Sequence, residues 1–260
     1  MKRSEYLNIL KLTKRTLNEY ENWDENELHI PPAKAKPEMK KSKTSVLKSS
    51  DTVLPESIKD LEKIVSICVK CPLGKSRLTA VFGEGNPNAD IMFVGEGPGF
   101  EEDHHGRPFI GKAGQFLTGL IEAMGYKRED VYIANIVKCH PMKNPSDPEA
   151  RGNDRPPTEE EVAVCSQYLE KQIEIIKPKV IVTLGKPSAM YFLKTDLPMG
   201  KIRGNFTEYK GIKLMPTFHP SYLIRNGCVL GKKDQTEAVM KLKADVWHDL
   251  KTVRDYVKKG

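Results

Sequence analysis

Between residues 58 and 260 the apolar positions follow two alternating rhythms. Short runs at 91–94, 131–137, 180–184 and 213–218 are crowded with Val, Ile and other apolar side chains, the pattern of strands covered on both faces. The stretches between and after them repeat at helical spacing. Residues 112–124 align Phe116, Leu117, Leu120, Ile121 and Met124; residues 159–176 align Val162, Cys165, Leu169, Ile173 and Ile176; residues 236–257 align Val239, Leu242, Val246, Leu250 and Val253. Thr158 and Glu161 have the spacing of a capping box ahead of the second helix. Strands alternating with helices predict a three-layer α/β/α fold around a central, mostly parallel four-stranded sheet.

Residues 1–57 read differently. A helix over 4–22 would place Tyr6, Ile9, Leu10, Leu17 and Tyr20 on one face. Six lysines then face one glutamate between Ala33 and Ser50, with few large apolar residues, which reads as a solvated linker. A basic tether to phosphate is the sharper reading; a solubilising spacer is the more ordinary one. The division expected is therefore an N-terminal extension, 1–57, and a folded domain, 58–260.

Composition narrows the function classes. The 260 residues are 38% hydrophobic and 30% charged, and no run approaches the ~20 apolar residues of a membrane span. The first residues do not read as a signal peptide. A cytoplasmic, monomeric protein without membrane association is expected. The net charge of +7 suits an anionic partner such as nucleic acid without identifying one. The five cysteines, an odd number, argue for metal ligation or catalysis rather than a disulfide framework.

Chemistry-bearing residues follow three of the predicted strands: Gly95-Glu96-Gly97-Pro98-Gly99, Lys138-Cys139-His140-Pro141 and His219-Pro220-Ser221-Tyr222. Ligands of open α/β sheets bind at the carboxyl ends of strands, so these motifs define a candidate pocket. Asn135 lies late in an otherwise apolar strand and must find hydrogen bonds there, from a neighbouring loop or from a ligand edge. His219, before a proline, is open to the same two readings. Glu101, Glu102 and Asp103 form a solvated acidic loop or a deliberate local charge able to orient water. Cys68 and Cys71 form a Cys-x-x-Cys, and remote Cys139 and Cys165 can close a four-cysteine site; Cys165 also fits the apolar face of its helix. Spacing alone slightly favours zinc, and an iron–sulfur cluster fits the same ligands. Cys228 is left as a spare thiol.

Taken together these residues resemble the family 4 uracil-DNA glycosylases, the iron–sulfur branch of their superfamily. The matching pieces run in family order: Cys68-x-x-Cys71-Pro72-Leu73, Phe82-Gly83-Glu84-Gly85-Asn86-Pro87, Gly95-Glu96-Gly97-Pro98-Gly99, Gly106-Arg107-Pro108-Phe109-Ile110-Gly111-Lys112-Ala113-Gly114, Asn135-Ile136-Val137-Lys138-Cys139, and Met215-Pro216-Thr217-Phe218-His219-Pro220-Ser221-Tyr222-Leu223. The resemblance spans roughly residues 58–257. It implies a [4Fe–4S] cluster on Cys68, Cys71, Cys139 and Cys165, and so moves the expected metal from zinc to iron. It implies an enzyme that hydrolyses the bond between uracil and deoxyribose in DNA, on a flipped-out nucleotide, in base excision repair, with the protein nucleoid-associated when on DNA.

By the same resemblance Phe109 would stack on uracil, Asn135 would pair with its N3–H and O4 edge, and His219 would donate to O2. Gly95, Glu96 and Gly97 would line the base, partly through backbone N–H groups. Another branch carries an Asp where Gly97 stands, so the water-orienting acid must be sought elsewhere. Glu96 is the favoured candidate, with Glu102 and Asp103 as acids that shape the pocket. Tyr222 or Leu223 would wedge into the duplex, and Arg225 would meet phosphate. Two departures stand out. The loop between Cys139 and Cys165 is long, leaving Asn144 and Asn153 as rivals for one family asparagine, and the extension 1–57 lies outside the match, with a protein partner as one possible role. Two further readings compete with turnover: a uracil-DNA binder or covalent capture protein, for which His140 is the residue to watch, and a recruitment module using the same fold.

Overall fold

The structure is a computed structural model that describes residues 54–229 and 236–259. The helix expected over 4–22 and the lysine-rich stretch lie outside these residues.

The predicted strands appear as β2 (Ile91–Gly95), β3 (Tyr132–Asn135), β4 (Val180–Leu184) and β6 (Ile212–Thr217). They lie side by side in the order β3-β2-β4-β6, all parallel. The sheet has six strands rather than the expected four. Antiparallel β1 (Glu84–Gly85) and β5 (Thr207–Tyr209) add its two edges. With two and three residues, neither is long enough to show an alternation along the sequence.

Alternation along the strands divides the core in two. Met92, Val94, Tyr132, Ala134, Ile181 and Leu214 face a layer that holds α1 (Ile58–Ser66), α5 (Glu159–Ile176) and α6 (Lys186–Leu193). Ile91, Phe93, Ile133, Val180, Val182 and Met215 face α4 (Lys112–Ala123), α8 (Pro220–Arg225) and α9 (Glu237–Val257). This is the period-two geometry of a strand buried on both faces, and it gives the expected three layers. The remaining short helices are α2 (Leu73–Ser76), α3 (Phe100–His105) and α7 (Met199–Ile202). No helix among the described residues is long and apolar enough to cross a membrane.

Helix α5 begins where its capping box predicts. Thr158 Oγ1 accepts from the Glu161 N–H, and the Glu161 carboxylate accepts from the Thr158 N–H at 2.8 Å. Glu161 also holds Arg155 by two hydrogen bonds of 2.7 and 2.8 Å, which ties the preceding loop to the helix start. All four parallel strands end on one edge. Gly95 pairs with Asn135 and Leu184 with Thr217 in the last rung of their ladders, so the segments that follow emerge together.

Candidate active site and four-cysteine site

At the carboxyl edge Gly95, Asn135, Phe109 and His219 converge. A Cβ at residue 95 would stand 2.4 Å from Asn135 Oδ1 and 2.5 Å from Phe109 Cζ. Only glycine lets the amide and the ring come this close to the β2 backbone. Asn135 is 1% exposed, and its Oδ1 is a buried acceptor with no hydrogen-bond partner among the described residues. Such an atom is costly unless a ligand donor meets it.

Phe109 sits above this acceptor in a left-handed backbone conformation, φ 50°, which a bulky residue adopts only when its surroundings impose it. The imposing contacts are specific. Glu102 accepts from the N–H groups of Ile110 and Gly111, both at 3.0 Å, and from that of Gly99. Arg128 donates to the Pro108 carbonyl and, at 2.7 Å, to Glu84, which also binds Arg107. Behind the ring, a Cβ at Gly114 on α4 would overlap the Phe109 carbonyl carbon and oxygen.

The Phe109 and His219 ring centroids are 5.7 Å apart at 37°. His219 caps α8, and its Nδ1 accepts from the Ser221 N–H at 3.1 Å. Ser221 Oγ is 2.7 Å from the same nitrogen and itself accepts from Arg225. An Nδ1 that accepts from an amide is unprotonated, so the neutral ring carries its proton on Nε2. Burial, helped by Arg225, lowers the His219 pKa to about 4. One residue before Phe218, Thr217 Oγ1 donates to buried Asp249 at 2.7 Å, and Asp249 is clamped by Arg203. Arg203 also lies over the Phe218 ring.

The acids divide by what they touch. Glu96 follows Gly95 directly, is half-buried, and burial raises its pKa. Glu102 is engaged by the three amides above. Asp103 is fully buried and accepts from the Leu78 and Thr79 N–H groups. Gly97 packs close to Val137 at the same edge. Around the His219 turn, Tyr222 is 40% exposed and stacks on Phe218 with centroids 5.1 Å apart, Arg225 is exposed, and Leu223 is 1% exposed within the core. The short α8 turns Leu223 inward, into the core layer that it shares with α4 and α9. In the long loop Asn153 is the buried member of the asparagine pair. It accepts from the Asn144 N–H and donates to the Asn144 and Asp147 carbonyls.

Cys68, Cys71, Cys139 and Cys165 line one cavity together with Arg77, Lys138 and Tyr168. Among the described residues no three His, Cys, Asp or Glu side chains close in on a single-ion position. Arg77 donates to Cys139 Sγ at 3.0 Å and to the Cys68 and Ser66 carbonyls. The Lys138 main-chain N–H donates to Cys165 Sγ at 3.3 Å, and the Tyr168 hydroxyl lies 3.2 Å from Cys68 Sγ. Burial pushes the Cys139 thiol up to about 11 and that of Cys165 to about 12. Cys228 is buried in the opposite core layer. Arg77, Arg128 and Asp249 carry no local signature in the sequence, because each acts on a partner far along the chain, and Glu84 stands in a quoted motif that gives no sign of its arginine partners. Lys138 had one: a lysine between Val137 and Cys139 at the end of an apolar run.

Residues 82–244 match the family described as the Uracil DNA glycosylase superfamily. A type-4 uracil-DNA glycosylase of Thermotoga maritima is 49% identical over 164 residues, 62% of this chain and 80% of that protein. One of Saccharolobus solfataricus is 47% identical over 168 residues, 61% and 73% of the two chains. One of Sulfurisphaera tokodaii is 42% identical over 183 residues, 66% and 77%.

Two measurements check the pocket's construction. Gly114→Ala drives a methyl into the Phe109 backbone and is expected to cost about 1–3 kcal/mol, a fall in Tm of several degrees; an unchanged melt would show that the loop is not seated on α4. The ring nitrogens of His219, followed by NMR, are expected to keep the neutral Nε2–H form down to about pH 5 and titrate near pH 4. Unfolding returns the ring to its ordinary 6.5, so the unfolded chain binds a proton that the folded chain refuses. The stability tied to this ring is complete above that value and drains away as pH falls from 6.5 to 4. A midpoint near 6.5 in the folded protein would contradict the half-buried ring that caps α8.

Proposed function

The chain belongs to the uracil DNA glycosylase superfamily, among its type-4 members, and from this we propose that it hydrolyses the N-glycosidic bond of deoxyuridine in DNA, releasing uracil and leaving an abasic site in base excision repair. The observation that carries the reading is the orphaned Asn135 Oδ1 beneath Phe109.

A base inside a duplex cannot reach this depth, so the nucleotide is flipped out before it enters. Phe109 stacks on the ring. Asn135 Oδ1 accepts from uracil N3–H while its amide nitrogen donates to O4. Cytosine offers a bare N3 and an amino group on that edge, so it meets like against like and is rejected. His219 Nε2–H faces O2, where negative charge gathers as the base departs. A neutral ring suffices, because the role is hydrogen-bond donation. The sugar becomes cation-like, and Glu96 is the acid left to orient water beside it. Glu102 and Asp103 act at one remove, by fixing the Phe109 loop and the α3 end. Backbone N–H groups near Gly97 complete the base contacts. Tyr222 takes the wedge position and Arg225 meets phosphate.

The four cysteines fit a [4Fe–4S] cluster. Their sulfurs border one cavity and accept from Arg77 and the Lys138 amide, donors suited to an anionic cluster. Buried thiols with pKa values of about 11 and 12 must lose their protons to bind, and metal charge replaces them. When bound, the cluster supplies a cross-link between the loop after α1, the end of β3 and α5.

Turnover is favoured over covalent capture by the state of His140. The ring is 1% exposed, 2.6 Å from Asp154 and 3.7 Å from Asp103. Burial alone would lower its pKa, but the two carboxylates raise it to about 9. A buried imidazolium has no lone pair with which to attack DNA.

Purified protein is expected to release free uracil from a uracil-containing oligonucleotide and leave an alkali-labile site. Asn135→Ala and His219→Ala are each expected to cut kcat/KM by about 100-fold or more with little change in Tm; near-wild-type turnover in both would remove the pocket assignment. The same preparation should contain about four irons and four sulfides per chain, and a colourless, iron-free protein would remove the cluster.

A further inference from the structure

Lys138 stands between the two sites and is itself only 1% exposed. A lysine this deep needs partners for its ammonium. It donates to the Asn135 main-chain oxygen at 2.7 Å and to Gln172 Oε1 at 2.6 Å. Both acceptors are neutral. Gln172 is fully buried and donates onward to the Phe82 carbonyl at 2.9 Å and to the Tyr132 hydroxyl at 3.1 Å. The Lys138 main-chain N–H meets Cys165 Sγ, and the residue borders the four-thiol cavity.

The reason for a lysine here lies in the sheet edge. Strand β1 pairs with Tyr132 and Ile133, and the segment before it returns at Val81, whose N–H donates to the Lys138 carbonyl at 2.8 Å, which leaves the Asn135 carbonyl between the two without a bond from that side among the described residues. Beyond that point Ile136 and Val137 still donate to Gly95 and Glu96 on the β2 side, while the Asn135 carbonyl takes an ammonium in place of a strand neighbour. The lysine stem is long enough to fold back from residue 138 to residue 135 and also reach α5. An anionic cluster on Cys139 and Cys165 would offset the buried positive charge.

We propose that Lys138 is a positioning residue that couples the four-cysteine site to Asn135, holding the end of β3 so that the Asn135 amide faces the base. The proposal rests on the reading of Asn135 as the base-recognising amide and of the cysteines as cluster ligands. Filling the cysteine site fixes residues 138 and 139, and the ammonium passes that constraint back to residue 135.

Lys138→Met and Gln172→Leu, made in the full chain, separate positioning from packing. Each preparation is assayed for iron and sulfide, thermal melting, kcat and KM on a uracil-containing oligonucleotide, and inhibition by free uracil. Lys138→Met is expected to keep its iron, to bind free uracil about tenfold more weakly, the loss of roughly one well-made hydrogen bond, and to raise KM more than it lowers kcat. Gln172→Leu, which keeps the bond to Asn135, is expected to lower Tm yet stay within about twofold in uracil inhibition. Uracil affinity that falls in proportion to Tm in both variants, or an unchanged inhibition constant in Lys138→Met, would overturn the proposal. Should Lys138→Met not fold, hydrogen exchange on the wild-type protein before and after iron removal decides the matter. The Ile136, Val137 and Lys138 amides are expected to exchange about tenfold faster or more once iron is removed, and unchanged exchange would overturn the coupling. Failure of the underlying readings shows separately: a wild-type protein without iron in the metal assay, or one that free uracil does not inhibit.

Discussion

The pairing of Gly95 with Asn135 at the last rung of two parallel strands is the constraint on which the carboxyl edge depends. Backbone register puts a large polar side chain directly opposite a residue that has none. The missing Cβ leaves room for both the amide and the Phe109 ring. Once that volume is shared, the loop from Arg107 to Gly111 has little freedom. Its carbonyls and amides must find Arg128 and Glu102, and α4 must present a glycine where the loop crosses it. The positive φ of Phe109 is thus a consequence of contacts on every side, and the strain is carried by ordinary hydrogen bonds several residues away.

The electrostatics follow a similar division. His219 is kept neutral by burial, helped by Arg225, while the pKa of His140, five residues past Asn135, is raised by two carboxylates. Both rings are largely buried and both are close to the same sheet edge. What separates them is the sign of the group each meets. The neutral ring lies beside Phe109, and the other links α3 to the loop that carries Asp154.

Much of this was legible in the residues. The four parallel strands and the three long helices announce themselves by period, because each is long enough to repeat and is covered on one or both faces. The convergence of Gly95, Asn135 and His219 follows from strand ends, which topology places on one edge. Other features depend on partners that sequence spacing does not reveal. Edge strands of two or three residues have no period. Glu84 and Arg128 meet across 44 residues, and Arg77 and Cys139 across 62. Leu223 has the chemistry of a wedge, and only the direction in which α8 leaves the sheet makes it core. Burial separates Asn144 from Asn153: Asn153 takes the interior position and staples the loop with its amide, a distinction that two asparagines in one polar loop cannot show.

The clamp of Arg203 and Asp249 on Thr217 has a temporal consequence. Thr217 and Asp249 are 32 residues apart, and the second belongs to α9, the last helix described. During synthesis the histidine turn leaves the ribosome well before the helix that braces it. Other strand ends also wait for later segments, Asn135 through Lys138 for Gln172 and Val94 for Ser188, but here the wait is for the last helix described. The brace on the histidine turn is therefore among the last contacts that the chain can form during synthesis.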